Sequence, residues 1–434
     1  QMRIGIVCDL APSEYGGART LQESLIRAFG EFESDHDIVL LNVGRSPFGS
    51  SSRMINQCVD VHHSFASSSD AHSFHSPSPS YALIMRILGK LSRLFSWSPS
   101  FIPTLSKANN AAPDTASLSM TPLQRAVSDL QIDILWRPDV WIEPLDTPYC
   151  VTAWDIHFRL QAFFPEFSPK GMSWEDRESH HVRTLRRAAL VFTGTETGRE
   201  QLIHYYGLNP DNVIVNPYPV SHFVNGRSHD STWSSLCRRG LTDGYIFYPA
   251  AFWPHKNHVN LMLGLAELRK SYGLEPQVVL TGADAGNAAY VKELVKGLDL
   301  DRQVILMGFC SQSEVAALYK HSLALVYPSF VGPDNLPPLE AFASGCPVIA
   351  SDIPGAREQL GDAAVFFDPA SPESIASAMA SVILDKSLRD LMVDRGLRIA
   401  DVRTCGNYAR TILYSLSNLE PYLRTWRSDY QLAF

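Results

Sequence analysis

Short, continuously apolar segments alternate with helix-forming segments along most of the 434-residue chain. A strand whose successive side chains are all apolar is buried on both faces. Strands of that kind occur almost only in parallel sheets that helices cover on both sides. The alternation therefore predicts an α/β protein with parallel sheets. The predicted strands are IGIV (4–7), IVLLNV (38–43), AALVFTG (188–194), VIVNP (213–217), YIFYPA (245–250), QVVLTG (277–282), VILMG (304–308), LALVYPS (323–329), PVIAS (347–351) and AVFFDP (364–369), and helices are predicted over 259–272, 288–297 and 313–321.

The length and the pattern together predict two domains. A chain of this length exceeds what one hydrophobic core serves, and domains usually contain about 50–200 residues. The first Rossmann-like domain is expected over residues 1–220 and the second over 244–414, with a polar junction at 221–244. Within the first domain, residues 49–121 are rich in Ser, His, Pro and Asn, which predicts an insertion.

The predicted insertion contains one amphipathic segment, YALIMRILGKLSRLF at 81–95. Its aliphatic side chains and Phe95 recur at helical spacing, and its only charges are basic. Two roles stay open for such a helix. It could pack its apolar face onto its own domain, or it could bind a membrane surface or an amphiphilic acceptor.

Composition excludes several classes of protein. The formal net charge of −8 argues against a nucleic-acid-binding protein, which needs a basic surface. The seven cysteines are scattered without a CxxC pair, so we expect buried thiols in a reducing compartment rather than zinc or disulfides. No apolar run approaches the roughly 18 residues of a membrane span. We therefore expect a cytoplasmic protein, with peripheral attachment to the inner face of a membrane as an option through 81–95.

The first strand runs into CDLAPSEYGGARTLQ, so Gly16 and Gly17 end a βα loop and open a helix. Two glycines there let backbone amides approach an anionic group at the helix N-terminus. Glycine also occurs in such loops for steric reasons alone. Both interpretations stay open.

Lys256 follows the first strand of the second domain by a few residues and precedes a helix predicted to begin near Val259. In open parallel sheets, ligands bind in the crevice at the carboxyl ends of the strands. A lysine at that edge can stabilise the negative charge that develops on a diphosphate leaving group. The alternative is a solvated surface lysine, which the neighbouring sequence FWPH makes less plausible.

The stretch PDNLPPLEAFASG, residues 333–345, predicts a loop followed by a helix. A helix beginning near Pro337 or Pro338 leaves the amides of the loop Asp334–Leu336 free and places Glu340 in its first turn. Phosphate is favoured at a helix N-terminus, so a carboxylate there is expected to contact hydroxyl groups, such as those of a ribose. The alternative is a glutamate that only stabilises the helix dipole. The DxD sequence at 299–301 lies at a predicted helix-to-strand connection on the opposite edge of the sheet, so we interpret it as structural and expect no metal.

Several of these stretches, in their order and spacing, resemble the retaining glycosyltransferases of family 4. The resemblance is strong over about 245–370 and thinner in the first domain. It implies the GT-B fold, in which two Rossmann-like domains face each other across a cleft, with the C-terminal segment 415–434 packing back on the first domain. The stretches that carry it are FWPHKNH, LTGAD, VILMGF, PDNLPPLEAFASGCPVIASD and GDAAVFFDP, and in the first domain Gly16–Gly17, CVTAWDIHFRLQAFFPEF (150–167) and VFTGTETGREQLIHYYGL (191–208).

The resemblance implies roles for the donor side of the site. Lys256 would bind the donor diphosphate, Glu340 would hold the nucleotide ribose, and the loop amides of Asp334, Asn335 and Leu336 would contact sugar or phosphate. Gly16 and Gly17 are also expected to bind the donor.

This chain departs from the family pattern at three positions. Gly332 stands where a sugar-contacting glutamate is usual, Ala251 where an arginine is usual, and Trp154–Asp155 where a His–Asp pair is usual. We expect Asp334 to supply the missing carboxylate and His255 or His157 to supply part of the missing donor contacts. Asp155 and His157 are expected on the acceptor side.

The sequence thus predicts a retaining, metal-independent glycosyltransferase without a cofactor. It would transfer a sugar from a GDP-mannose, dTDP-rhamnose or UDP-hexose type of donor to a glycan or lipid-linked acceptor in bacterial surface polysaccharide synthesis. With no enzymic nucleophile evident, attack on the same face as the leaving group is expected, and Lys256, Asp334 and His157 are the catalytic candidates. The alternatives are a sugar-nucleotide epimerase or hydrolase of the same fold, and a non-catalytic sugar-nucleotide-binding scaffold.

Overall fold

The structure, a computed structural model, describes residues 2–9, 16–30, 34–44, 58–61, 120–168, 172–225 and 230–426. Most of the predicted insertion, the amphipathic segment 81–95 and the last residues 427–434 lie outside these ranges. The residues 58–60, inside the predicted insertion, form a strand that pairs with its neighbour in the first sheet. The sheet therefore includes part of the segment that the composition assigned to the insertion.

The first domain is built on a sheet of seven strands, all of them parallel, in the order β3-β2-β1-β4-β5-β6-β7. Three of these strands were not predicted, because β3, β4 and β5 are short and their sequences CVD, ILWR and YCVT mix apolar with polar residues. The strands are β1 Arg3–Cys8, β2 Asp37–Asn42, β3 Cys58–Asp60, β4 Ile134–Arg137, β5 Tyr149–Thr152, β6 Leu190–Thr193 and β7 Val213–Val215. The described helices of this domain are α1 Gly16–Gly30, α2 Pro122–Asp129, α3 His157–Leu160, α4 Trp174–Arg187 and α5 Glu196–Tyr206, with 3-10 turns at Pro165–Phe167 and Pro210–Asn212.

The second domain has a six-stranded sheet, also entirely parallel, in the order β10-β9-β8-β11-β12-β13. All six strands and the three helices predicted for this domain are confirmed, with ends that shift by one or two residues. The strands are β8 Tyr245–Pro249, β9 Val278–Thr281, β10 Val304–Gly308, β11 Ser322–Tyr327, β12 Val348–Ser351 and β13 Ala364–Phe367. The helices are α6 Asp230–Arg238, α7 His258–Tyr272, α8 Ala288–Gly297, α9 Gln312–His321, α10 Leu336–Ala343, α11 Ala356–Leu360, α12 Pro372–Leu384 and α13 Lys386–Val402, with 3-10 turns at His222–Asn225 and Pro254–Lys256.

Within the described ranges, the chain crosses between the domains twice, and the two crossings contact each other. The amide of Val220 donates to the carbonyl of Arg403 at 2.8 Å. The thiol of Cys405 donates to the carbonyl of Val220 at 3.4 Å. The first crossing is at Val220, between β7 of the first sheet and β8 of the second, and it lies at the beginning of the predicted polar junction.

The second crossing leads into α14, Cys405–Ser417, which packs on α1 in the first domain. Its residues Tyr408, Ala409, Ile412 and Leu416 lie at helical spacing and are buried in the core of that domain. The return to the first domain therefore begins before residue 415, where we had placed it, because the apolar face of α14 already starts at Tyr408. A last short helix, α15, spans Glu420–Leu423.

Replacement of Ile412 by Ala is expected to destabilise the protein by about 2–5 kcal/mol, because the side chain is fully buried between α14 and the first domain. The measurement is the free energy of unfolding of the first domain in urea. Tyr414, on the same helix, is 68% exposed, so Tyr414→Ala is the matched control and should change stability by less than about 0.5 kcal/mol. Equal effects of the two substitutions would contradict the observed orientation of α14.

Candidate functional site

The loops at the carboxyl ends of the two sheets meet across a cleft. From the first domain come the loop and short helix after β5, residues 153–168, and from the second the turn at 254–256 and the loop 328–335 after β11. The side chain of Gln161 donates to the carbonyl of Phe330 at 3.4 Å across this boundary. In addition, Val331 is buried in the core of the first domain. The cleft is therefore closed in this structure, and the predicted site residues can be located in it.

Lys256 lies in the 3-10 turn that precedes α7 and points toward the loop after β11. Its ammonium group donates to the hydroxyl of Tyr327 at 3.1 Å and to the side-chain oxygen of Asn335 at 3.2 Å. Tyr327 ends β11, and its hydroxyl also lies 3.2 Å from the same oxygen of Asn335. The structure therefore brings the two candidate donor-binding residues Lys256 and Asn335 together, with Tyr327 as a partner that the sequence did not indicate.

His255 is held by Glu166 of the first domain. The Glu166 carboxylate accepts from the His255 ring at 2.5 Å and from the His255 amide at 2.9 Å. Burial lowers the pKa of His255, although the hydrogen bond to Glu166 acts in the opposite direction. Burial acts to raise the pKa of Glu166, but the hydrogen bonds from His255 outweigh it and the pKa is lowered. This pair joins the domains, and Glu166, in the sequence FFPEF, was also missed.

His157 begins the short helix α3 and contacts the loop of the second domain. Its Nε2 accepts a hydrogen bond from the amide of Gly332 at 2.9 Å. Because a backbone amide can only donate, the ring is neutral and carries its proton on Nδ1. Burial lowers the pKa of His157, Asp155 acts against this, and Lys256 adds to it. The amide of His157 in turn donates to the Asp155 carboxylate at 3.0 Å, so Asp155 holds the start of α3.

The structure explains why residue 332 is not a glutamate. Gly332 has a φ of +100°, in the region that favours glycine, and a Cβ atom there would lie 2.4 Å from the side chain of Asn335. The Asn335 amide group donates to the carbonyl of Gly332 at 2.5 Å and to that of Val331 at 3.0 Å. This loop conformation therefore has no room for the usual carboxylate. The indole of Trp154, at the usual position of the histidine, donates to the carbonyl of Pro138 at 2.6 Å and packs on Tyr218, which is a structural role.

Asp334 is buried where the second domain meets the end of β6. Its Oδ2 atom approaches Gly194 so closely that a Cβ atom on that glycine would lie 2.1 Å away. Burial raises the pKa of Asp334 well above its ordinary value, and the charge of Asp155 raises it further. The side chain therefore faces the first domain, near the predicted acceptor residue Asp155.

Four buried polar atoms of this cleft have no hydrogen-bond partner among the described residues. They are His157 Nδ1, Gln161 Oε1, Glu166 Oε2 and Asp334 Oδ2. Buried polar groups are normally paired, and each that is not costs about 1–3 kcal/mol. The buried part of the cleft therefore contains one unpaired donor and three unpaired oxygen atoms that can accept.

Glu340 is not one of these unpaired groups, because its carboxylate is bound by other side chains of the protein. Its carboxylate accepts from the hydroxyl of Ser221, in the domain junction, at 2.7 Å, and from the hydroxyl of Tyr319, at the end of α9, at 2.9 Å. Burial raises its pKa, and these two hydrogen bonds lower it in part. The hydroxyl groups that Glu340 binds here belong to the protein, and its contact with a ribose stays a prediction.

The position of Glu340 in its helix differs from the prediction. The helix α10 begins at Leu336, so Glu340 is in the second turn and not the first. The helix can begin that early because Pro337 and Pro338 lie in its first turn, where no intrahelical donor is needed. The side chain of Leu336 is buried in the core of the first domain, so only its backbone could meet a ligand. Gly16 and Gly17 open α1 directly at the start of the helix, as predicted.

The remaining expectations concern metals, membranes and thiols. Within the described ranges, no cluster of three or more His, Cys, Asp or Glu residues is arranged to hold a metal ion. The pair Asp299 and Asp301 lies in the turn between α8 and β10, as interpreted. Among the helices that the structure describes, none has the length and apolarity to cross a membrane. All seven cysteines are free thiols, and four of them are buried.

Comparison with known proteins supports one family for the second domain. Residues 238–398 match the family model described as Glycosyl transferases group 1. The chain is 26% identical over 234 residues to O-antigen chain mannosyltransferase B of Escherichia coli, a match that covers 54% of this chain and 61% of that protein. It is 28% identical over 201 residues to the O-antigen chain mannosyltransferase RfbU of Salmonella typhimurium, covering 46% of this chain and 52% of that protein. The matches thus span only about half to three-fifths of these relatives.

Solved structures establish the fold over nearly the whole chain. Sucrose-phosphate synthase from Thermosynechococcus elongatus superposes with a TM-score of 0.67 at 13% identity, covering 97% of this chain and 100% of that one. HepE from Anabaena, in complex with UDP and glucose, superposes with a TM-score of 0.63 at 17% identity, covering 96% and 100%. The fold is therefore GT-B, as the resemblance implied, and its second domain carries the glycosyl transferases group 1 signature.

The buried carboxyl of Asp334 is expected to make stability depend on pH. A carboxyl whose pKa is higher in the folded than in the unfolded protein binds more protons when folded, so stability falls as pH rises from about 4 through the raised pKa. Asp334→Asn removes this dependence. It should raise the melting temperature at about pH 8, and the gain should shrink toward about pH 4.

Thermal unfolding across this pH range is the measurement. Asp301→Asn is the matched control, because Asp301 is exposed in a turn of the same domain, and it should show no such pH-dependent gain. A variant Asp334→Asn that is less stable than the natural protein at about pH 8 would contradict the burial cost assigned to this carboxylate.

Proposed function

We propose that this chain is a retaining, metal-independent glycosyltransferase of family 4 that transfers a sugar from a nucleotide-sugar donor to a glycan or lipid-linked acceptor. The observation that carries the proposal is the cleft itself, where Lys256 binds Tyr327 and Asn335 and where buried polar atoms lack partners. A sugar presents many hydroxyl groups, each of which can both donate and accept, so it suits a site with one free donor and three free acceptors. A diphosphate needs a fixed positive charge, which Lys256 supplies.

Bacterial surface polysaccharide synthesis is the proposed context. The relatives named as O-antigen mannosyltransferases favour a mannosyl donor such as GDP-mannose. The structural neighbour in complex with UDP and glucose supports a UDP-hexose as a second candidate donor. The third candidate donor is dTDP-rhamnose. We place the protein at the cytoplasmic side of a membrane, with the segment 81–95 as the proposed contact.

The positions of the residues in the cleft support the following proposed roles. Lys256 and the Asn335 loop would hold the diphosphate, and His255, fixed by Glu166, would line the donor side. Asp334 and the Nδ1–H of His157 would bind sugar hydroxyls, and Asp155 would face the acceptor. Glu340 would hold the ribose, because each of its oxygens accepts only one hydrogen bond from the protein and retains further acceptor capacity.

The proposed reaction is attack on the same face of the sugar as the departing group. The bond between the anomeric carbon and the diphosphate oxygen breaks as the bond to the acceptor oxygen forms. The acceptor proton passes to an oxygen of the diphosphate, which is held by Lys256. Closure of the domains excludes water, which would otherwise hydrolyse the donor.

A donor panel tests the function as a whole. Purified protein is first screened for thermal stabilisation by GDP-mannose, dTDP-rhamnose and UDP-hexoses. It is then assayed for release of the nucleoside diphosphate in the presence of glycan or lipid-linked acceptors. Transfer with retained anomeric configuration, unchanged by EDTA, supports the proposal. Release of free sugar without an acceptor would instead indicate a hydrolase, and tight binding without release would indicate a scaffold.

Lys256→Ala should lower kcat/KM by about 100- to 1,000-fold, mainly through kcat, because the positive charge beside the leaving group is lost. Steady-state kinetics with the donor identified by the panel are the measurement. Lys292, which is exposed on α8 of the same domain, gives the matched control Lys292→Ala with unchanged kinetics. An unchanged kcat in Lys256→Ala would show that this lysine does not contact the leaving group.

Asp334→Ala should reduce turnover by about 100-fold while donor binding persists, because Asp334 is proposed to supply the carboxylate missing at residue 332. Turnover and donor affinity are measured on the same preparation. Near-normal activity with intact donor binding would rule out this role for Asp334.

A further inference from the structure

Glu358 reaches from the second domain to a helix of the first. Its carboxylate accepts hydrogen bonds from the amide of Glu196 at 2.5 Å and from the amide of Thr197 at 3.2 Å. The hydroxyl of Thr197 donates to the same carboxylate at 3.3 Å. Glu358 lies on the short helix α11, whereas Glu196 and Thr197 are the first two residues of α5, so all three contacts cross the domain boundary.

These contacts complete the N-terminus of α5. The first amides of a helix have no intrahelical partner. Thr195 caps the third helical residue from within its own domain, because its hydroxyl oxygen accepts from the amide of Gly198 at 3.0 Å. The amides of Glu196 and Thr197 depend on Glu358 instead. A carboxylate is favoured at this end of a helix by the helix dipole as well. The cap of α5 is therefore complete only while the domains are closed.

The helix that carries Glu358 is also joined to the loop that faces Lys256. The next residue, Gln359, is buried, and its side-chain amide donates to the carbonyl of Asn335 at 3.0 Å. Asn335 in turn accepts a hydrogen bond from Lys256 at 3.2 Å. One short helix thus contacts the first domain through Glu358 and the proposed donor loop through Gln359. Opening of the domains at α5 would remove the contact through Glu358, while Leu360 keeps the helix packed in the core of the second domain.

The Glu358 contact lies apart from the other contacts across the cleft. His157 and Glu166, which bind Gly332 and His255, both belong to the segment after β5. The partners of Glu358 follow β6 instead. The cleft is therefore held at two separate places. Glu358 is not among the residues proposed to touch a substrate, although the second place lies close to Asp334, which is buried against Gly194.

We propose that Glu358 is an interdomain latch that favours the closed arrangement and so positions the Asn335 loop for the donor. It is a positioning residue, because it acts through α11 and contacts no substrate. The proposal that Glu358 favours closure depends only on the observed contacts. The proposal that it affects donor binding rests on the proposed function. Loss of a helix cap of this kind changes an equilibrium about fivefold.

The test compares Glu358→Gln and Glu358→Ala with Glu373→Gln. Glu373 lies in the first turn of α12, and its carboxylate accepts from Ser371 within one domain, so it is the matched control. Hydrogen exchange at the amides of Glu196 and Thr197 reports the cap, and small-angle X-ray scattering of the whole protein reports closure. In the two Glu358 variants, exchange at these amides should rise about fivefold and the radius of gyration should increase. The control should match the natural protein in both.

Thr197→Val tests the pairing itself, since it removes only the hydroxyl donor. Its effect on exchange at Glu196 should be smaller than that of Glu358→Ala, and the double variant should behave like Glu358→Ala alone. Unchanged exchange in the Glu358 variants would overturn the latch. Faster exchange without any change in scattering would also overturn it, because Glu358 would then be only a local cap.

The kinetic consequence is measured separately. Glu358→Gln should raise the KM for the donor by up to about fivefold with a smaller change in kcat, because it lowers the closed fraction and Glu358 contacts no reacting group. If exchange and scattering change but the KM does not, the proposed effect on the donor is wrong, whereas the role of Glu358 in closing the domains is supported. If the protein lacks transferase activity, exchange and scattering still decide the latch, so the two proposals fail separately.

Discussion

Side chains of each domain accept hydrogen bonds from backbone amides of the other, and the arrangement of the cleft depends on these contacts. His157 binds the amide of Gly332, Glu166 binds that of His255, and Glu358 binds those of two residues at the start of α5. An amide cannot move independently of its loop, so such bonds fix the loops themselves rather than only side-chain tips. Because the amides lie in loops, turns and the first turn of α5 at the carboxyl ends of the sheets, closure and site geometry are set by the same bonds.

The cleft is built at a cost in stability. Asp334 is a buried carboxyl with one oxygen unpartnered, and His157, Gln161 and Glu166 each bury a further polar atom without a partner. Each such group lowers the stability of the closed protein. A polar ligand that formed hydrogen bonds with these groups would remove this cost, and the free energy recovered would contribute to its binding. This is why these residues, rather than the well-paired Glu340, carry the proposal of a sugar site.

The sequence predicted much of this protein because its signals are local. Continuous apolar segments predicted the parallel sheet of the second domain. Lys256 and Asn335 were proposed because they follow strands whose carboxyl ends form the crevice, and His255 was proposed from the family resemblance. The strands β3, β4 and β5 escaped prediction because they are short and partly polar, although their side chains pack in a sheet. Glu166 and Glu358 escaped as site residues because their partners lie far along the chain, in the other domain. Nothing near them in sequence marks those contacts.

By itself, the sequence determined the fold class and indicated two domains, since hydrophobic period and turn chemistry act over a few neighbouring residues. The family resemblance supplied most of the candidate residues around the cleft. Only the tertiary structure decided how those residues are used. It showed that Gly332 adopts a backbone conformation with no room for a side chain, that Asp334 is buried against Gly194, and that Glu340 is already bound by two hydroxyls. These facts depend on distances between segments that are remote in sequence, and such distances exist only once both domains have folded and closed.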